Sequence, residues 1–333
     1  MCNKFLNNKD DSKNDFCFVV VSYNQEDYVF QHLESIKNLI LSYGSRKKIQ
    51  LVFSDDCSKD ATVEKAKYWI EKNQLLFNEC KIIEHENNVG TIRNMIDAIN
   101  SVNALCFKEM ACDDLYYKNN IFDLNTNTKL VLTPTIHFFE PNTIEKKIID
   151  DYFIFLNNRN KDIKIKIKKM LNYNQCIPSP GAILPPSVWK NEDFKNFLLK
   201  YKYIEDIPEW YYLFNVNDFN LKVEINDTPF VLYRRNVGIS NHIKKKDNPI
   251  DNEYKRIRKE IVAKQDCLPK YLNPYAYMHF IQSKISVNLI KNKPEIKKSI
   301  RKWNDNVKYA AEFIKFIQEN ADYIEDSYMN DKR

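Results

Sequence analysis

The chain has 333 residues, with 51 Lys+Arg against 45 Asp+Glu and a formal charge of +6, a mild excess that argues against a polycation built for nucleic acid. Hydrophobic residues make up 44% of it, enough apolar area for one large or two modest domains and too much for wholesale disorder. Only 4 residues are Gly, so Gly44, Gly90, Gly181 and Gly238 each carry weight as punctuation.

The first fifteen residues are polar and lack the hydrophobic centre of a secretory signal, which predicts a cytoplasmic protein. From Phe16, short apolar runs alternate with longer helical patterns, the rhythm of βαβ units forming a parallel sheet. Phe16 to Ser22 is a continuous apolar run, as a strand buried on both faces requires, and it is far shorter than the ~18 residues of a membrane span. A helix is predicted from about Glu26 to Ser42, with Gly44 closing it as a C-terminal cap. Ile49 to Ser54 gives the second strand. Asp60 can cap the next helix, Thr62 to Leu76, in which Val63, Ala66 and Ile70 recur at helical spacing. Lys81 to Glu84 is a third strand, Asn88-Val-Gly90 turns into a helix over Thr91 to Asn100, and Ala104 to Met110 is the fourth.

The middle of the chain is less regular. Lys161 to Met170 alternates Ile and Lys at period two yet places Ile163, Ile167 and Met170 on one helical face, and a helix is the favoured reading. Then come the Pro/Gly punctuation at Ile177 to Gly181, a helix near Ser187 to Tyr201, another after Asp206, and strands near Leu221 to Ile225 and Phe230 to Tyr233. After the basic loop Lys244 to Lys246 the pattern turns charged and helical through Trp303, with breaks at Pro269, Pro274 and Pro294. The eight cysteines form no C-x-x-C pair, which predicts reduced thiols and neither a disulfide framework nor a zinc site.

Three polar clusters follow predicted strands: Val21-Ser22-Tyr23-Asn24, Asp55-Asp56-Cys57-Ser58 and Cys112-Asp113-Asp114. All should fall on one edge of the sheet, and in open α/β sheets the crevice beyond the strand carboxyl ends is where ligands bind. Adjacent carboxylates there repel one another. A hard divalent ion shared with a diphosphate would neutralise them, which suggests Mg²⁺ or Mn²⁺ and a nucleotide-diphosphate substrate. The plainer alternative is that each Asp pair caps the helix after it. Neither G-x-G-x-x-G nor G-x-x-x-x-G-K-[ST] occurs, so phosphates must be met by metal and basic side chains. His85, His137 and His242 are too dispersed for a metal-ligand pattern.

In its motif order the sequence resembles the family 2 glycosyltransferases of GT-A fold: V-S-Y-N at Val21 to Asn24, S-D-D-C-S-K-D at Ser54 to Asp60, N-x-G-x-x-x-N around Gly90 and D-D-L-Y at Asp113 to Tyr116. Ile177 to Gly181, Ile204-Glu-Asp-Ile-Pro-Glu209 and Tyr233-Arg234 are similar to that family's acceptor-side punctuation, catalytic E-D segment and Y-R segment. The resemblance spans about Phe16 to Ser240. It implies an α/β GT-A fold, a Rossmann-like, mostly parallel sheet flanked by helices, with a helical C-terminal region. On that reading, residues 1–15 are a flexible tail, 16–125 the nucleotide-sugar-binding half, 126–243 the acceptor-binding half and 244–333 a basic helical region.

The resemblance also implies roles. Asp56 would read the nucleotide base, with Val21, Tyr23 and Asn24 around the nucleotide. Asp113 and Asp114 would hold ribose and metal, and Arg93 would face the nucleotide or diphosphate. Ala111-Cys112 stands where the commoner D-x-D-D form has its first Asp, leaving a two-carboxylate motif. Asp206 would be the general base of an inverting displacement, and on local sequence it is equally a good helix start with Pro208 and Glu209 behind it. Glu205 would orient acceptor hydroxyls, Gly181 would leave room for acceptor or donor sugar, and Arg234 and Arg235 would pair with the diphosphate or solvate a strand end.

The function implied is transfer of a sugar from a nucleotide-diphosphate donor, a UDP-sugar foremost, to a glycan or lipid-linked acceptor in cell-surface polysaccharide assembly. The Lys-rich stretches are ordinarily solvated faces, with attraction to anionic lipid at the inner face of the plasma membrane as a weaker reading. Two alternatives stay open. One is a non-catalytic GT-A-fold nucleotide-binding partner, permitted by the shortened metal motif. The other is a nucleic-acid-binding protein, opposed by the near-balanced charge and the carboxylate-lined sheet mouth.

Overall fold

The apolar run after Asp15 becomes β1 (Asn14–Ser22), buried along most of its length. It pairs in parallel with β2 (Ile49–Asp55) on one side and β4 (Ala104–Ala111) on the other, and β3 (Glu79–Glu84) flanks β2, giving the order β3-β2-β1-β4. Successive side chains on a strand leave opposite faces. Phe16, Phe18 and Val20 accordingly join one core with α1 (Val29–Tyr43) and α2 (Thr62–Asn73), whereas Cys17 and Val19 join a second core with α3 (Thr91–Asn100). The computed structural model of the protein describes residues 12–124, 126–145, 162–172, 177–217, 219–237, 248–263 and 292–332. Most of the expected N-terminal tail, Gly238, His242, the Lys244 to Lys246 loop and the breaks at Pro269 and Pro274 lie outside the described residues.

Three local expectations are corrected. The first helix begins at Val29 rather than near Glu26. Asn24 has a positive φ of 51°, and the amides of residues 24, 25 and 26 donate instead to Ser58 Oγ, Thr62 Oγ1 and Asp60 Oδ2. Gly44 does end that helix, yet in right-handed conformation at φ −84°. Its need for glycine is one of space, because a Cβ would lie 2.7 Å from the Ile40 carbonyl oxygen. The helix expected over Ser187 to Tyr201 is two helices, Pro186–Trp189 and Glu192–Leu198. Asn191 breaks it, its Oδ1 accepting the Phe194 N–H at 2.8 Å as a new N-cap.

The helix over the Ile/Lys stretch forms as Ile163–Asn172, which we label α4, with α5 for Pro186–Trp189, α6 for Glu192–Leu198 and α7 for Asp206–Tyr211. Five short strands escape the sequence reading: β5 (Leu115–Tyr116), β6 (Lys129–Leu132), β7 (Ile136–Phe139), β8 (Thr143–Ile144) and β9 (Ala182–Ile183). With β10 (Lys222–Ile225) and β11 (Val231–Arg234) they build two small mixed sheets, β10-β6-β9 and β5-β11-β7-β8. These lie beyond the end of β4. Two helices follow, α8 (Pro249–Ala263) and the 38-residue α9 (Pro294–Asp331). Ile296, Trp303, Phe313, Ile314 and Ile317 of α9 cover Ile136, Phe138 and Leu232 of the β5-β11-β7-β8 sheet. Among the described residues no helix is long and apolar enough to cross a membrane, and Cys17, Cys57, Cys80, Cys106 and Cys112 are all free thiols.

Candidate functional site

The parallel register sets Ser22 opposite Asp55 and Val21 opposite Ala111, so the turns after β1, β2 and β4 open on one edge, as expected. Two of these turns are tied together. Asp55 Oδ2 accepts from Ser22 Oγ at 2.8 Å and from Ser58 Oγ at 2.5 Å, and Lys59 N–H donates to Asn24 Oδ1 at 2.8 Å. From beneath, Asn94 of α3 donates Nδ2 to the Ser54 carbonyl at 3.2 Å and accepts from Ser54 Oγ at 2.5 Å. The cap position of α2 falls on Ala61, which has no side-chain cap bond, and not on Asp60 as the sequence suggests; Asp60 Oδ1 instead accepts the Thr62 N–H at 3.0 Å from one residue further back.

Asp56 is buried, and its two oxygens accept the Val89 and Gly90 N–H groups at 2.6 and 2.9 Å. Burial pushes its carboxyl up, while those amides, His85 and Lys202 oppose the shift. Gly90 reaches this geometry at φ 92°, and a Cβ there would lie 2.9 Å from the Lys202 carbonyl oxygen. The Asn88-Val-Gly90 turn is therefore a clasp on Asp56. It also brings the chain before α7 alongside, since Ile92 N–H donates to the Lys202 carbonyl. Val21 is half-buried and its carbonyl accepts Cys112 N–H at 3.0 Å; Tyr23 is half-buried and Asn24 exposed. Arg93 is half-exposed on α3 and lies 3.7 Å from Asp97 one turn on, so among the described residues its ion pair stays on its own helix.

The Asp113-Asp114 pair is divided by the fold. Asp114 is 2% exposed and its Oδ1 accepts the Arg234 N–H at 2.8 Å, while its carbonyl accepts from His32 Nδ1 at 2.7 Å. Burial, reinforced by Asp113, raises its carboxyl well above the ordinary range, and burial lowers His32 to about 4. Asp113 is half-buried, and burial raises its carboxyl too. Arg234 is itself buried: Nε donates to the Asp113 carbonyl at 2.6 Å, Nη2 to Gln31 Oε1 at 2.8 Å, and Nη1 pairs with Glu140. Its guanidinium lies over the Tyr28 and Phe138 rings. Arg234 thus staples the acidic turn to β11, and Arg235 rests over Tyr233.

Glu205 and Asp206 open α7. Asp206 is the first residue of α7, with Glu205 and not Asp206 at the cap position; its Oδ1 accepts the Ile207 N–H at 2.7 Å and the Tyr254 hydroxyl at 3.4 Å, and the residue is half-buried. Burial and then Asp206 raise Glu205 to about 7. Burial pushes the Tyr233 hydroxyl up, with Asp114, Asp113 and Glu205 adding to the shift and Arg235 opposing it. Gly181 is buried, closing a 3₁₀ turn from Ser179, and its carbonyl accepts Thr133 N–H at 2.8 Å. Sequence reasoning missed Asn94, Lys108 and Glu209. Asn94 and Glu209 had signals, as the last residues of the N-x-G-x-x-x-N pattern and of the Ile204 to Glu209 segment; Lys108 had none.

Among the described residues no three His, Cys, Asp or Glu side chains converge as a metal cage. The donor set still suits a hard ion such as Mg²⁺, which is commonly held by one or two carboxylates together with substrate phosphates; the half-buried Asp113 offers such a carboxylate. The arrangement is a row of acids at the mouth of a parallel sheet.

A model of Glycosyl transferase family 2 matches residues 17–173. The crystal structure of S. aureus TarS 1-349 in complex with UDP-GlcNAc is similar at 14% identity, with 95% of this chain and 92% of that chain covered and a TM-score of 0.50. The crystal structure of S. aureus TarS is similar at 17% identity, with 94% of this chain and 55% of that chain covered and a TM-score of 0.51. No curated protein matches the sequence. The matched segment is the one that builds the four-stranded sheet and bears Asp56, Asp113 and Asp114; over it the chain is similar to family 2 glycosyltransferases, and its fold is of the GT-A type seen in the TarS structures.

Proposed function

We propose that the protein transfers a sugar from a nucleoside-diphosphate donor, a UDP-sugar first among them, to a glycan or lipid-linked acceptor with inversion, in assembly of a cell-surface polysaccharide. The observation that supports this most is the gathering of Asp56 and Asp113 at the strand ends, with Asp206 on the helix alongside. Val21, Tyr23 and Asn24 line the nucleotide side, and Asp56 presents its remaining lone pairs to the base. Asp113 holds the divalent ion, Mn²⁺ or Mg²⁺, with Asp114 fixing the turn from within. When bound, that ion neutralises charge on the departing diphosphate. Asp206 takes the proton from the acceptor hydroxyl as its oxygen attacks the anomeric carbon and the bond to the diphosphate breaks. Glu205 orients acceptor hydroxyls, and the buried Gly181 turn shapes the sugar subsite. In this scheme Arg93 and Arg234 have no direct part.

UDP-GlcNAc, the ligand named with the TarS fragment, sets the first donor to try. The test is release of nucleoside diphosphate from a panel of UDP-, GDP-, dTDP- and CDP-sugars by wild type and Asp206→Asn. One donor should be consumed by wild type, and Asp206→Asn should lower kcat by about 10²–10⁴-fold while donor affinity stays within about twofold. Absence of nucleotide release from every donor contradicts the proposal.

A further inference from the structure

Lys108 lies on β4, upstream of the acidic turn, and is 1% exposed. A fully buried ammonium is strongly unfavourable unless it is paired and hydrogen-bonded, so its contacts are informative. Its Nζ donates to the Ser179 carbonyl at 3.1 Å and to Glu109 Oε1 at 3.2 Å. Ser179 begins the 3₁₀ turn that ends at Gly181. Just before that turn, the Ile177 carbonyl accepts the indole N–H of Trp210 at 2.7 Å. Trp210 is fully buried in α7, the helix that Asp206 opens.

A continuous set of hydrogen bonds and chain links therefore runs from the strand that leads to Asp113, through the 177–181 turn, to the helix that bears Asp206. Around it stand Glu109 and Glu209, 8% and 3% exposed. Glu109 Oε2 has no hydrogen-bond partner among the described residues, and Lys108 is the cation acting on Glu209.

We propose that Lys108 is a positioning residue: acting through the 179–181 turn, it sets α7 so that Glu205 and Asp206 stand in register with the acidic end of β4. This rests on the reading of Asp206 given above. The competing account is that Lys108 serves only as the counter-ion of Glu109, and the two accounts part in the double variant. A buried pair removed as a unit restores much of the stability lost when one partner goes, so Lys108→Met/Glu109→Gln keeps the charge balance while deleting the bond to Ser179.

The experiment compares wild type, Lys108→Met, Glu109→Gln, the double variant and Lys108→Arg by amide hydrogen exchange over 177–183 and 205–211, and by donor turnover. The double variant should melt close to wild type yet exchange at least about fivefold faster in both segments. Its kcat should fall at least about tenfold, with donor KM within about twofold. Lys108→Arg, which keeps charge and donors, should recover most of both. A double variant that exchanges and turns over like wild type overturns the proposal. Should wild type release no nucleotide from any donor, the glycosyl-transfer reading fails, and the exchange comparison still decides whether Lys108 holds α7. If Lys108→Met does not fold, the double variant and Lys108→Arg carry the comparison.

Discussion

At residue scale the clasp on Asp56 depends on one backbone conformation. Gly90 sits at φ 92° against the Lys202 carbonyl, and an L side chain there is both strained and crowded, each of order 1–3 kcal/mol. Gly90→Ala should lower stability by about 2–4 kcal/mol in urea titration, and Asp56→Ala, which leaves two inward-facing amides without acceptors, by a comparable amount. Glu205 makes a prediction about pH. The folded protein keeps its proton up to about 7 against an ordinary 4.5, so between those values the folded state binds more protons than the unfolded chain. Stability should then fall as pH rises through that window, by up to about 3 kcal/mol. Glu205→Gln should remove this component, so urea midpoints at pH 4.5 and pH 8 should differ less in the variant than in wild type; an unchanged difference contradicts the assignment. The strand-end acids were legible because they follow long apolar runs. The burial of Asp114 was not, since its partner Arg234 is far off in sequence and nothing local announces the bond.

At the scale of elements, β11 holds the acidic turn through Arg234. Its side chain meets the Asp113 carbonyl, Gln31 and Glu140, while its backbone meets Asp114. Arg234→Met should therefore destabilise the fold by about 3–5 kcal/mol, as expected when one partner of a buried charged network is removed, with Arg235→Met costing far less by the same thermal or urea measurement. The four strands of the parallel sheet were readable because burial on both faces writes a continuous apolar run, and α3 because the Asn88-Val-Gly90 turn announces its start. β5, β8 and β9 are two residues each. No periodicity can show at that length, and the pairing of β11 with β5 and β7 is set by tertiary contacts that the local pattern does not encode.

Across the whole molecule α9 acts as a brace. From Ile296 and Trp303 through to Ile314 and Ile317 it packs against the β5-β11-β7-β8 sheet, and near its C-terminal end Tyr328 meets Phe30 and Tyr68 beside α1 and α2. It therefore spans the parallel sheet's helical layer and the sheet that staples Asp113. Ile314→Ala should cost about 2–5 kcal/mol by urea titration, whereas Asp331→Ala, at an exposed ion pair with Lys72, should leave the midpoint nearly unchanged. The helical character of this region was legible from its charge and lack of turn residues. Its docking was not, because the surface it covers is made from the short strands.

The central claim is that Asp113, and not its buried neighbour, meets a metal and a nucleoside diphosphate at the edge of the sheet. Calorimetric titration of UDP, GDP, dTDP and CDP, with and without Mn²⁺, tests this without knowledge of the acceptor, using wild type, Asp113→Asn and Asp114→Asn checked for folding by thermal melting. The account predicts metal-dependent binding of one nucleotide, lost in Asp113→Asn with the melting midpoint retained, and a lowered midpoint as the chief effect of Asp114→Asn. Binding that ignores both Mn²⁺ and Asp113→Asn, or no binding of any of the four, would contradict it and leave the acidic turns as architecture.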